Sequence, residues 1–194
     1  SSLCSAMLNR TFLTEDFVMD FTGKVALVTG GGNGIGRATA LGFAERGAVV
    51  VVVDKDSVAA VETVRLIKES KKSAFDVCAD VTRTGDVQAY VEATLQKHGR
   101  IDCFFNNAGI EGRVAPTAEY DEDVFDSVIA VNVKGVFLGL RHVLPVMLEQ
   151  GAGTVVNMAS IAGLVGSPGM PAYVASKHAV IGLTKVAAGE VSGE

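Results

Sequence analysis

The stretch Thr29-Gly30-Gly31-Gly32-Asn33-Gly34-Ile35-Gly36 follows a β-branched run, Val25–Thr29, and precedes an amphipathic segment over residues 37–46. Backbone N–H groups at such a helix start, aided by the helix dipole, can hold a pyrophosphate. Glycine suits the place because a Cβ would block close approach of backbone to ligand and of helix to strand. The next apolar run, five valines from Val49 to Val53, ends in Asp54. A carboxylate there can accept hydrogen bonds from the hydroxyls of an adenosine ribose. Its charge would repel a ribose 2′-phosphate, and Asn33 supplies no compensating cation in the turn, so NAD is expected over NADP. Lys55, directly after Asp54, is the counter-signal. A merely flexible glycine turn would not also carry the strand before it, the helix after it and the acid downstream.

The elements that must position these groups alternate in type. After the glycine cluster, Gly47 punctuates a helix. The unbroken valine run predicts a strand covered on both faces. A helix is expected over 58–70, a strand over 74–78, a helix over 84–98 closed by Gly99, and a strand over 101–105. A long helical region over 122–149 follows, then a strand over 154–158 and a last helix from about Tyr173. Strands alternating with helices predict an α/β fold, a Rossmann-type doubly wound parallel sheet.

Composition narrows the function further. The chain has 194 residues, 48% of them hydrophobic and 20% charged, enough for one domain with a sizeable core. A net charge of −5, with no basic block, argues against a nucleic-acid surface. The three cysteines, Cys4, Cys78 and Cys103, are too widely spaced for a metal site or a disulfide framework. The latter two fall in strand-like runs and are expected to be small buried hydrophobes. A reduced, cytoplasmic setting follows. No uninterrupted apolar stretch reaches the ~18 residues of a membrane span, so no membrane association is expected. Residues 1–20 have no apolar core of a signal peptide and read as a flexible N-terminal extension. His98, His142 and His178 are spaced for neither a zinc site nor a Ser-His-Asp triad, and no metal is expected.

From Phe21 to about Glu190 the sequence resembles the short-chain dehydrogenase/reductase family. Thr29 to Gly36 resembles its TGxxxGxG turn, and Asn106-Asn107-Ala108-Gly109 its NNAG signature. Tyr173 with Lys177, preceded by Ser160 and Asn132, resembles its catalytic tetrad. The resemblance implies an oxidoreductase that moves hydride between a nicotinamide cofactor and a secondary alcohol or ketone. It implies cofactor contacts from Gly30, Asn33, Gly34, Ile35, Gly36, Asp54, Asn107, Ala108, Gly109, Tyr173 and Lys177, with Asp80-Val81 against the adenine. It also implies a homotetramer or homodimer built partly on the helices over 123–149 and 173–190.

The chemistry asked of Tyr173 is transfer of the hydroxyl proton. An unaided phenol ionises only near pH ~10, so it needs a neighbouring cation. Lys177, four residues on, shares its helical face. By the resemblance, Lys177 also binds the nicotinamide ribose, and Ser160 donates to the substrate oxygen. Asn132 distorts its long helix and holds a water leading from Lys177 to solvent. Taken singly, Ser160 would be an ordinary turn former and Asn132 an exposed helix residue. The loop over 161–171 is expected to line the substrate pocket through Leu164, Val165 and Met170, with Ile110, Glu111 and Gly112 at its border.

In the family a sixth strand, a turn against the nicotinamide carboxamide, a substrate-covering segment and a seventh strand come after the part matched here, so the sequence is expected to be an incomplete copy of a longer protein. Residues 21–194 are therefore expected to be a nucleotide-binding domain lacking the last two strands, with the strand over 154–158 left at an edge. Two rival functions remain. One is an NADPH-dependent reductase of 3-oxoacyl thioesters on acyl carrier protein. The other is a truncated, non-catalytic nucleotide-binding module.

Overall fold

The computed structural model describes residues 19–191. The N-terminal extension up to residue 18, with Cys4, and residues 192–194 lie outside the described residues. Five strands form one parallel sheet: β1 (Val25–Thr29), β2 (Val49–Asp54), β3 (Ala74–Cys78), β4 (Cys103–Asn106) and β5 (Thr154–Asn157). Their order is β3-β2-β1-β4-β5. The chain thus runs outward from β1 to β3, returns, and runs outward the other way through β4 and β5. This reversal opens a crevice beyond the carboxyl ends of β1 and β4, where ligands of doubly wound sheets bind.

The valine run is apolar throughout because both faces of β2 are covered. Val50 and Val52 pack with Ala26, Val28 and Phe105 under helices α1 (Gly34–Glu45) and α2 (Ser57–Glu69). Val51 and Val53 pack on the other face with Leu27 and Phe104 under α3 (Thr84–His98) and the later helix α5 (Gly135–Gln150). Side chains alternate across a strand, so only a continuous apolar run can feed two cores.

Some boundaries differ from expectation, each for a local reason. α1 begins at Gly34 rather than Arg37, because Arg37 N–H already closes a helical turn onto Asn33 O at 3.0 Å. β4 begins at Cys103 rather than Ile101, because both backbone groups of Ile101 are bonded to the Gln150 side-chain amide at 2.8 Å. The long region splits into α4 (Glu122–Ile129), a π-helical turn (Ala130–Lys134) and α5. As one rod, Glu122–Gln150 is long and apolar enough by length and composition to pass for a membrane span, although Lys134 and Arg141 interrupt it. Its apolar face packs on α3, β4 and α6 (Pro171–Val191), as a core helix does. Cys78 stands exposed on edge strand β3 and Cys103 is half-buried, so neither is the fully buried hydrophobe expected. β5 pairs with β4 alone, and its Val156 is exposed.

Candidate active site

At the carboxyl end of β1, Thr29 joins the two strands of the switch point. Its hydroxyl oxygen accepts the N–H groups of Asn107 at 3.0 Å and Ala108 at 3.1 Å. In return, Asn107 Nδ2 donates to Thr29 O at 3.0 Å. The glycine turn then bends away. Gly30 has φ +63, and a Cβ on it would stand 3.0 Å from Ala108 Cα. Gly36 fits because a Cβ there would lie 2.0 Å from Gly30 O. Gly34, with φ +51, has open space beside it. Asn33 makes no side-chain bond to the start of α1, so no cap competes for the first N–H groups of that helix.

Over this turn lies a cavity of about 590 Å³. Gly30, Asn33, Gly34, Ile35, Gly36, Asp54, Asp80, Val81, Asn107, Ala108, Gly109, Tyr173 and Lys177 all line it. Every residue the sequence assigned to a cofactor is therefore brought to one cleft. Lys55, Ile110 and Glu111 line it too, as do Val131 and Met158, which sequence reasoning did not single out. Asp80 is held by Thr82, whose N–H and hydroxyl both reach Oδ1, at 2.9 and 2.8 Å. The Thr82 N–H is the main cause holding this carboxyl below the usual carboxylate range, with the hydroxyl adding to it against the opposing effect of burial.

The other wall is built from α6. Pro171 opens the helix, a position where its missing N–H costs nothing. Tyr173 and Lys177 follow one turn apart. Lys177 is 4% exposed, and its Nζ donates to Met158 O at 2.7 Å. The Nζ is 5.5 Å from the centroid of the Tyr173 ring. Burial pushes the Lys177 ammonium pKa down.

Asn132 sits in the π-helical turn, 1% exposed rather than on a helix surface. Its Oδ1 accepts Ile110 N–H at 2.8 Å, while its Nδ2 donates to Ile110 O at 2.8 Å and to Ser176 Oγ at 3.0 Å. Ser176, fully buried, donates its hydroxyl hydrogen bond to Tyr173 O at 2.7 Å. The Asn132 side chain is thus engaged with Ile110 and Ser176 rather than with Lys177. Gly109 fits between them: a Cβ there would be 3.2 Å from Asn132 Oδ1 and 3.7 Å from Lys177 Nζ. Ser176 was missed in the sequence, although its place next to Lys177 was the available signal.

Ser160 does not line the cavity. It is half-buried, and its Oγ accepts Ala162 N–H at 3.2 Å, capping a short turn over Ile161–Gly163. That turn is pressed onto α6, since a Cβ on Gly163 would be 2.7 Å from Lys177 O. The chain beyond is directed outward, so Leu164 and Val165 are exposed and do not line the cavity. A bond from Ala115 N–H to Gly169 O, 2.9 Å, fastens this loop to the segment after β4. Gly112 is turned away as well, packed against Tyr120 and Val128. Among the described residues, no cluster of three or more His, Cys, Asp or Glu side chains could hold a metal.

A doubly wound sheet, a glycine-lined helix start, the half-buried Tyr173 and the buried Lys177 meet on one cleft. The family model described as short chain dehydrogenase matches residues 24–194, and the chain belongs to this family. It is 46% identical over 172 residues to the levodione reductase of Leifsonia aquatica, covering 88% of this chain and 64% of that protein. It is 42% identical to the 3-oxoacyl-(acyl-carrier-protein) reductase of Thermotoga maritima, covering 90% of this chain and 71% of that one. The crystal structure of an NAD+-bound xylitol dehydrogenase superposes with a TM-score of 0.88 at 40% identity, over 90% of this chain and 67% of that one. The chain thus spans about two thirds of the length of such relatives.

Proposed function

We propose that this chain carries the cofactor and proton-transfer site of an NAD-dependent oxidoreductase acting on a secondary alcohol or ketone. The observation that carries the proposal is that Tyr173 and Lys177 face the same cavity as the glycine turn. The residues present fit a dinucleotide: the backbone at Gly30 and Gly34 is left-handed, and the space beside Gly34 is open. The xylitol dehydrogenase with its bound NAD+ supports the same reading.

In this proposal the first N–H groups of α1 bind the pyrophosphate, and Asp54 accepts from the adenosine ribose. Asp80 and Val81 border the adenine, and Asn107 to Gly109 form the wall beside the nicotinamide half. The dinucleotide supplies or accepts the hydride. Tyr173 gives or takes the hydroxyl proton, and the Lys177 ammonium stands where it can stabilise negative charge on the phenolic oxygen. Ser160 Oγ, beside the cavity rather than in its lining, keeps a hydroxyl proton to donate toward a substrate oxygen that reaches past that lining. Asn132 and Ser176 hold the π-helical turn against α6. Assembly as a homodimer or homotetramer through α5 and α6 belongs to the same proposal; exposed Phe137 and Val186 on those helices support it.

One observation favours a second reading. Lys55 lines the same cavity as Asp54 and could receive a 2′-phosphate. An NADPH-dependent reductase of 3-oxoacyl thioesters is then the alternative, in line with the Thermotoga relative. Initial rates with NADH and NADPH across a panel of ketones and thioesters decide between them. Preference for NADH with simple ketones is expected; strong preference for NADPH sinks the reading of Asp54.

A further inference from the structure

A carboxylate at the end of a strand can read a ribose only if it is held still. Asp54 is held at both oxygens. Its Oδ2 accepts Gly32 N–H at 2.9 Å, and its Oδ1 accepts Asp56 N–H at 3.0 Å. A carboxylate has about four acceptor sites, so sites remain on each oxygen while the group still borders the cavity.

The first of these tethers depends on Gly32 having no side chain. A Cβ there would stand 2.7 Å from Asp54 Oδ2 and 2.8 Å from the Ala59 methyl. The Gly31-Gly32 backbone is itself fixed from behind. Thr63, fully buried on α2, places its hydroxyl 3.0 Å from Gly31 O and 3.3 Å from Gly32 O, and accepts Arg37 Nε at 3.0 Å. The glycine turn, the start of α1 and α2 therefore hold one peptide plane, and that plane aims the Asp54 carboxylate.

We propose that Gly32 is a positioning residue for cofactor choice, fixing the Asp54 carboxylate so that it accepts a free ribose diol and cannot swing away from a 2′-phosphate. This rests on the reading of the cavity as a dinucleotide site. A fixed acceptor loses little freedom on meeting the two hydroxyls. The same fixed charge repels a phosphate dianion most strongly when it has no other rotamer to occupy.

The test is a fluorescence titration of the chain with NADH and with NADPH, paired with thermal unfolding of each variant. The native chain is expected to prefer NADH. Gly32→Ala is expected to weaken NADH binding about tenfold, as loss of one well-placed charged hydrogen bond does, while NADPH binding stays level or tightens. Because the new methyl also meets Ala59, the double variant Gly32→Ala with Ala59→Gly is measured beside it. That variant removes the helix contact but keeps the one with Asp54, so the loss of preference persists.

An equal weakening of both dinucleotides by Gly32→Ala overturns the inference, since the glycine would then serve only the pyrophosphate turn. Return of the NADH preference in the double variant also overturns it, because the effect would then run through α2. If the native chain binds neither dinucleotide, the proposed function falls and this inference falls with it.

Discussion

The two walls of the cleft are made by different means. On the cofactor side, geometry is set by the backbone and by missing side chains. Gly36 sits where a Cβ would meet a carbonyl oxygen at 2.0 Å, and Gly30 is left-handed against the NNAG segment. On the α6 side, where Tyr173 and Lys177 stand, geometry is set by side-chain hydrogen bonds between segments far apart in sequence. Asn132 grips Ile110 and Ser176, and Lys177 reaches back to Met158. A wall built on steric fit should fail all at once when a methyl is added. A wall built on polar links should lose catalysis or stability one bond at a time.

Gly36→Ala should break the first wall with the largest effect. Its methyl meets the Gly30 carbonyl first, with Asn107 Nδ2 at 2.7 Å, and the backbone clash cannot yield cheaply. The expected cost is about 3 kcal/mol or more of stability, with loss of dinucleotide binding, read by denaturant titration and NADH fluorescence. A variant with native stability and affinity would remove the distinction between the walls.

Ser176→Ala should show the graded behaviour. It leaves the buried Nδ2 of Asn132 short of one acceptor and Tyr173 O short of one donor. Leaving such groups unsatisfied costs about 2 kcal/mol. Slower turnover with nearly native NADH affinity is expected, and a larger loss in affinity than in rate would contradict the assignment of Ser176 to the second wall.

Lys177→Met gives a smaller effect with a sign set by pH. Burial holds the folded-state pKa of Lys177 below its ordinary 10.5. The unfolded chain therefore binds this proton more tightly, and the penalty on the folded state is full below the lowered, folded-state pKa. It fades as pH rises toward 10.5. Relative to the Met variant, the native chain should gain stability as pH rises toward that limit. Denaturation curves over this range check it; a stability difference that stays flat with pH would mean the ammonium is not burdened by its site.

What was legible in the sequence follows the same division. The valine run, the glycine turn and Asp54 could be read because their constraints are local: one chain segment either fits a covered strand or tight turn or does not. The positions of Asn132, Tyr173 and Lys177 were read by family resemblance, but the bonds that place them were not. Ser176 and Met158 act through a hydroxyl and a backbone carbonyl, which carry no pattern along the chain. Leu164 and Val165 misled for a related reason. Their apolar character suggested a pocket wall, yet the turn capped by Ser160 and seated on α6 sends them outward. Cys78 misled because a half-apolar run says nothing about lying at the edge of a sheet.

The division of labour between the walls is tested most directly by single-turnover kinetics of the Tyr173→Phe chain with NADH and a ketone substrate. The change removes one phenolic oxygen from the second wall and leaves the first intact. NADH affinity should stay within about twofold of native while the hydride-transfer rate falls about a thousandfold. Retention of most of that rate would contradict the role given to Tyr173, and loss of NADH binding alongside it would contradict the separation of the two walls.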